Sequence, residues 1–190
     1  MTSKGKIMKA IELLIGGQSR PASNHATIER ANPLAGHTVT RAAAASVEDA
    51  REAADAAGRA FETCTRSGPE ERRLKLLKAA ELMEDRQSVF VERMVDETGA
   101  TPGWAGFNVS VAVGMLREAA ALTTQVQGDV IPSNVPDSLA MGVRVPCGVV
   151  VGIAPWNAPI ILALAPSPRP WRAATVSSSR PQSSARPRIT

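Results

Sequence analysis

Tyrosine is missing from the 190 residues, and three phenylalanines and three tryptophans are the only aromatics. The hydrophobic share is 44%, ordinary for a globular protein, so the core must be built from aliphatic and small side chains. Cysteine is scarce too: Cys64 and Cys147 are the only two. Two cysteines make no disulfide framework, and they fit a reducing, cytoplasmic setting. No run of 18 apolar residues occurs, so no transmembrane helix and no membrane partner is expected. Lys4, Lys6 and Lys9 stand near the start without a following apolar segment and cleavage site, so a secretory signal is not expected. Acid is absent from residues 166–190, whereas Arg169, Arg172, Arg180, Arg186 and Arg188 all lie there. The formal charge of +4 is therefore a property of the tail; residues 1–165 are close to neutral.

The informative stretch is Pro146-Cys147-Gly148-Val149-Val150-Val151-Gly152-Ile153-Ala154-Pro155-Trp156-Asn157-Ala158-Pro159-Ile160-Ile161. Val149 to Ala154 is almost continuously apolar and rich in β-branched residues. Such a run predicts a strand buried on both faces, as in a parallel sheet covered by helices. Pro155 and Pro159 end it and turn the chain into a helix-like segment from Ile160 to Leu164. In open α/β sheets ligands sit beyond the carboxyl ends of strands, which is where Trp156 and Asn157 fall.

At these residues the chain resembles the NAD(P)-dependent aldehyde dehydrogenase superfamily, matching its Pro-x-Gly-Val-Val-x-x-Ile-x-Pro-Trp-Asn-x-Pro signature. The resemblance implies an α/β fold with a Rossmann-like cofactor domain. It places Asn157 on the family's oxyanion asparagine, whose amide donates to the oxygen of a thiohemiacetal formed on a catalytic cysteine. One such donor contributes about 3–4 kcal/mol of transition-state stabilisation. Ile153, Ala154, Pro155 and Trp156 fall on positions lining the cofactor's adenosine ribose and pyrophosphate. Trp104-Ala105-Gly106-Phe107-Asn108-Val109 and Leu116 to Ala120 resemble the aromatic-aldehyde subgroup, the vanillin- and salicylaldehyde-dehydrogenase-like enzymes. The competing reading of Trp104, Phe107 and Met115 is plain packing in a core or helix interface.

In chain order, residues 1–11 suggest a loose leader. Short strands are expected at Glu12 to Ile15, Ile28 to Asn32 and Val39 to Ala44, with Asn32-Pro33-Leu34-Ala35-Gly36 as a turn of family type. Ser46 is an N-cap, with Glu48 and Asp49 in the first turn and Val47, Ala50, Ala54, Ala57 and Phe61 as the apolar face. Gly68-Pro69 starts a second helix facing inward through Leu74, Leu77, Ala80, Leu82 and Met83. Gln87 to Thr98 makes a third, closed by Gly99. Thr101-Pro102 opens the longest, running to Gly128 with Val109, Ala112, Val113, Leu116 and Ala120 buried. Asp129 to Pro132 and Leu139 to Val145 are read as a hairpin, which in the family protrudes and pairs with a neighbouring subunit. The chain thus divides into residues 1–128 of the cofactor domain, the oligomerisation hairpin 129–147, the first sheet strand and helix start 148–164, and the tail 165–190.

The tail breaks every pattern. Of the residues 166–190, 16 are Pro, Ser or Arg, a composition that predicts disorder. A basic nucleic-acid arm would interleave aromatics, and only Trp171 is there, so no nucleic-acid partner is expected. Codons can be chosen for a family-like continuation after Leu164, including a strand of the type Gly-Asn-Ser-Val-Val-Leu-Lys. Read after the loss of one base, they give Ala165 to Thr190 residue for residue. A frameshift just before Ala165 is the expected origin of the tail.

Oxidation in the family needs a nucleophilic cysteine and a general-base glutamate, both beyond residue 190 in a full-length member. Cys147, at the entry to a strand, and Cys64 are expected to be small buried thiols. His25 and His37 are expected to be exposed, and no metal site is indicated. The intact parent would use NAD or NADP and an aldehyde, with an aromatic one implied by the subgroup. This chain alone is expected to bind no cofactor, to be inactive, and to be marginal and aggregation-prone. The alternative is a non-catalytic partner that pairs with intact aldehyde dehydrogenase subunits, or with its own copies, through residues 129–145.

Overall fold

A computed structural model describes residues 9–164; most of the expected leader and all of the expected tail lie outside the described residues. Five short strands come first. Strands β1 (Lys9–Ile11), β4 (Thr27–Ala31) and β5 (Thr38–Ala43) form one sheet in the order β1-β5-β4, with β1 parallel and β4 antiparallel to the central β5. Strands β2 (Leu13–Ile15) and β3 (Gln18–Arg20) form a separate hairpin around Gly16 and Gly17, both at positive φ. The Asn32 turn is built as its residues require: the Asn32 side-chain oxygen accepts from the backbone N–H groups of Leu34 and Ala35, both at 2.9 Å, and Gly36 takes φ 73°.

Helix α1 (Val47–Cys64) begins with a reciprocal cap. The Asp49 N–H donates to Ser46 Oγ at 3.1 Å, and the Ser46 N–H donates to Asp49 Oδ2 at 2.9 Å. Asp49 also accepts from the Ser23 N–H and from Arg20, which ties the β3–β4 connection to the helix. The bonds from Ser46 and Ser23, led by the one from the Ser46 backbone, hold the Asp49 carboxyl below its usual range. The predicted face of α1 is displaced. Ala57 is buried and Phe61 half-buried as expected, but Val47, Ala50 and Ala54 are exposed and Asp49 is buried, because the cap fixes the start of this helix.

Helices α2 (Pro69–Asp85), α3 (Gln87–Thr98) and α4 (Pro102–Ala121) form the core. Leu76, Ala80, Val109, Val113, Leu116, Ala119 and Ala120 make one buried cluster. Each large aliphatic member contributes roughly 1.5–3 kcal/mol by leaving water. The predicted stripe of α4 is the buried one in every residue, whereas on α2 Leu74 and Leu82 face out and Leu76 faces in. Gly99 closes α3 at φ 71° with its N–H bonded to the Val95 carbonyl. A Cβ there would lie 2.8 Å from Pro33, so the Asn32 turn sits directly on this cap. The Thr40 hydroxyl adds a 2.7 Å bond to Glu97, joining β5 to α3.

Helix α4 stops at Ala121, earlier than Gly128, and a 3-10 turn (Leu122–Gln125) follows. The Thr123 hydroxyl bonds back to the Ala120 carbonyl at 2.9 Å and tightens the last turn. Strands β6 (Asp129–Ile131) and β7 (Ala140–Gly142) form the predicted hairpin, shorter than the sequence suggests. Its register brings Gly128 against Gly142, where any Cβ would overlap the Gly142 carbonyl oxygen. Helix α5 (Pro159–Leu164) closes the described chain.

The largest departure is at Val149 to Ala154. The run forms no strand and is not buried on both faces. A strand exists only through a neighbour, and none lies alongside this run among the described residues.

Candidate functional site

The Pro146–Ile161 run contains one titratable side chain, Cys147, so whatever it contributes to chemistry is hydrogen bonding, shape and apolar surface. Its end is fixed by α5. Ile160 and Leu164 pack against the buried cluster of α2 and α4, and the Leu162 N–H bonds to the Ala158 carbonyl at 2.9 Å. Ala158 is buried, which anchors the residue next to Asn157. Asn157 itself is exposed, and its amide makes no hydrogen bond among the described residues. Ile153 (75% exposed), Pro155 and Trp156 (58%) also face outward, and Ala154 is half-buried. The structure therefore brings Ile153 to Asn157 together as one open surface ahead of a packed helix.

Other expected positions fall elsewhere. Cys147 is exposed rather than buried, because the strand entry it was assigned to is not covered; Cys64 is half-buried at the end of α1. His25 and His37 are exposed as expected. Trp104 and Phe107 are not interior packing: they are 45% and 53% exposed. Their rings stack at 5.4 Å and 23° near the start of α4, opposite the buried stripe. Their i, i+3 spacing makes the contact legible in the sequence, but not its exposure. The perturbed groups outside the Asp49 cap are ion-paired surface residues. The Arg41 guanidinium holds the Glu29 carboxyl below its usual range, and Arg73 does the same to Glu70. Among the described residues no three His, Cys, Asp or Glu side chains are grouped to hold a metal, and no helix is long and apolar enough to cross a membrane.

Comparison with known proteins agrees with this geometry. The model of the aldehyde dehydrogenase family matches residues 20–168. Vanillin dehydrogenase of a Pseudomonas species (strain HR199) is 60% identical over 152 residues, 80% of this chain and 31% of that protein. Salicylaldehyde dehydrogenase of Pseudomonas putida is 43% identical over 152 residues, again 80% of this chain and 32% of the relative. The crystal structure of salicylaldehyde dehydrogenase from Pseudomonas putida G7, solved with salicylaldehyde, superposes with a TM-score of 0.88 at 39% identity, covering 91% of this chain and 36% of that one. An NAD-dependent benzaldehyde dehydrogenase from Corynebacterium glutamicum gives a TM-score of 0.86 at 28% identity, covering 95% and 39%. The chain spans about a third of the length of the curated relatives it matches. With its core helices, its hairpin and its Pro-Trp-Asn corner all within the matched span, the chain belongs to the aldehyde dehydrogenase family and corresponds to the N-terminal part of its members.

Proposed function

We propose that this chain is the N-terminal portion of a cytoplasmic NAD- or NADP-dependent dehydrogenase of aromatic aldehydes, without activity of its own. The observation that carries the reading is Asn157: an amide with no protein partner, exposed and anchored beside the packed α5. In the parent enzyme it donates a hydrogen bond to the aldehyde oxygen as negative charge builds there. A donor already in place contributes because nothing must reorganise during the reaction. The cofactor would supply the hydride acceptor. Ile153 to Trp156 fit a dinucleotide's ribose and pyrophosphate, since they present an apolar open surface and backbone groups engaged in no hydrogen bond among the described residues. The remaining steps require a thiolate nucleophile and a carboxylate base. Cys147 is the one titratable side chain in residues 146–164, ten residues before Asn157, and the reading is that this chain completes no turnover. The aromatic preference rests on the vanillin and salicylaldehyde dehydrogenases among its relatives.

The proposed organisation is residues 1–128 as part of the cofactor domain, 129–147 as the hairpin, 148–164 as the first sheet segment, and 165–190 as out-of-frame residues. The test is to restore the alternative frame after Leu164. The longer product is expected to oxidise aromatic aldehydes with NAD or NADP, and the 190-residue chain to show no turnover. Asn157→Ala in the longer product should lower kcat roughly 10²–10³-fold. An inactive in-frame product, or an Asn157→Ala loss below about tenfold, defeats the reading.

A second reading, subunit pairing, is favoured by one feature of the hairpin. Val130, Leu139, Met141, Val143 and Val145 are all at least 59% exposed, and the pairing of Val130 with Met141 puts strand positions of this parity on one face. Co-purification with an intact family member that is lost on Met141→Lys tests it.

A further inference from the structure

The exposed Asn157 lies one peptide bond from a buried residue. Ala158 is 7% exposed, and two residues further on Ile160 packs against the cluster that holds Leu76, Val109, Val113 and Leu116. Leu164 joins that cluster one turn later. Ile160 and Leu164 stand at i and i+4, so they share the inner face of α5. A helix of six residues is too short to hold itself in water. Its place is set by what its inner face touches, and Ile160 is the anchor at the end nearer Asn157.

Little between Ile160 and Asn157 can absorb a shift. Pro159 has its φ locked near about −65° by its ring. The residue before a proline is confined to extended backbone, which restricts Ala158. The Leu162 N–H donates to the Ala158 carbonyl at 2.9 Å and ties this link to the helix. The Asn157 amide makes no hydrogen bond of its own among the described residues, so its backbone alone decides where it stands. A displacement of Ile160 is therefore passed on to Asn157 and not lost on the way.

We propose that Ile160 is a positioning residue for the oxyanion donor: by packing into the α2–α4 core it fixes the place from which Asn157 reaches the aldehyde oxygen. This role rests on the catalytic reading of Asn157 and adds the source of its precision. A hydrogen-bond donor of this kind contributes only where it already points at the developing charge. A misplacement of about 1 Å can cost roughly 10²-fold in rate. Ile160 needs no contact with substrate or cofactor to act, so its loss belongs in kcat and not in KM. The core that gives the chain its stability thereby also sets the geometry of Asn157.

Two measurements test it. In the 190-residue chain, Ile160→Ala should speed hydrogen exchange of the Leu162 amide by about tenfold or more and leave the α4 amides of 109–116 protected as before. In the longer in-frame product, Ile160→Ala should lower kcat roughly 10–10²-fold with KM nearly unchanged. Ile160→Leu keeps the volume and should recover most of the rate. Met94→Ala, the truncation of a buried side chain on α3, should leave kcat of the folded enzyme as it was. In an Asn157→Ala background, Ile160→Ala should cost nothing further. The assignment is overturned if Leu162 exchange does not change, if Ile160→Ala lowers kcat by the same factor with and without Asn157, or if Met94→Ala lowers kcat as much. Asn157→Ala without loss of rate would defeat the catalytic reading; Asn157→Ala with loss and Ile160→Ala without it would defeat this assignment alone.

Discussion

The α2–α4 core and the segment 128–157 are comparably apolar, yet they meet opposite fates. In the core, Leu76, Val109, Val113 and Leu116 are at most 5% exposed; in the segment, Val130, Leu139, Val143, Val145, Val151 and Ile153 are at least 71% exposed. Residue type does not distinguish them. What differs is whether the partner is near in sequence. An α-helix satisfies its own backbone and needs only another stripe, which α2 and α3 supply within the same stretch of chain. A strand needs a second strand for its backbone and a second layer for its side chains. The apolar residues at 149–153 have no such second strand among the described residues.

The largest expected effect breaks the comparison from the core side. Leu116→Ala should destabilise the chain by roughly 2–5 kcal/mol, whereas Val151→Ala should change stability by less than about 0.5 kcal/mol, both read from urea unfolding. Equal losses would mean that 149–153 is packed after all. Gly99→Ala comes next. Left-handed φ alone costs about 1–2 kcal/mol, and the new Cβ must also push Pro33 aside, so the thermal midpoint should fall by several degrees. Ser46→Ala removes half of the reciprocal cap and should cost about 1 kcal/mol.

Asp49 sharpens the comparison through pH. Its carboxyl is held below the usual range of about 4 in the folded chain, so it contributes stability above that range. The contribution is lost as pH falls through the folded value, where protonation breaks the bonds from Ser46 and Ser23. Asp49→Asn should flatten the acid limb of the stability profile and leave the neutral-to-alkaline limb parallel to the parent's. An unchanged acid limb would assign that pH dependence to Glu29 and Glu70 instead.

The parts of the fold that were legible are those whose cause is local. Ser46 as a cap, Pro69 and Pro102 as helix starts, Gly99 as a left-handed stop and the buried stripe of α4 follow from a few neighbouring residues. Where distant partners decide, local pattern misled. It put Leu74 inward in place of Leu76, put Val47, Ala50 and Ala54 on the inner face of α1 where Asp49 is buried, and made a buried strand of Val149 to Ala154. Of the candidate site, the corner from Ile153 to Asn157 was visible as a motif, but its openness was not. Nor was the exposure of Trp104 and Phe107, because aromatic residues on a helix read as core until a face is known.

The core cluster has one more consequence, in time. All its buried members lie between Leu76 and Ala120, so every contact among them can form once that stretch has left the ribosome, and Ile160 and Leu164 add to it later. Helical units with contacts this local fold in microseconds to milliseconds, while synthesis proceeds at about 5–20 residues per second. The residues from Ala121 to Val149 therefore take roughly one to several seconds to appear, long after the helices have closed. The segment from Val149 to Ile153 is therefore always born onto a finished helical body.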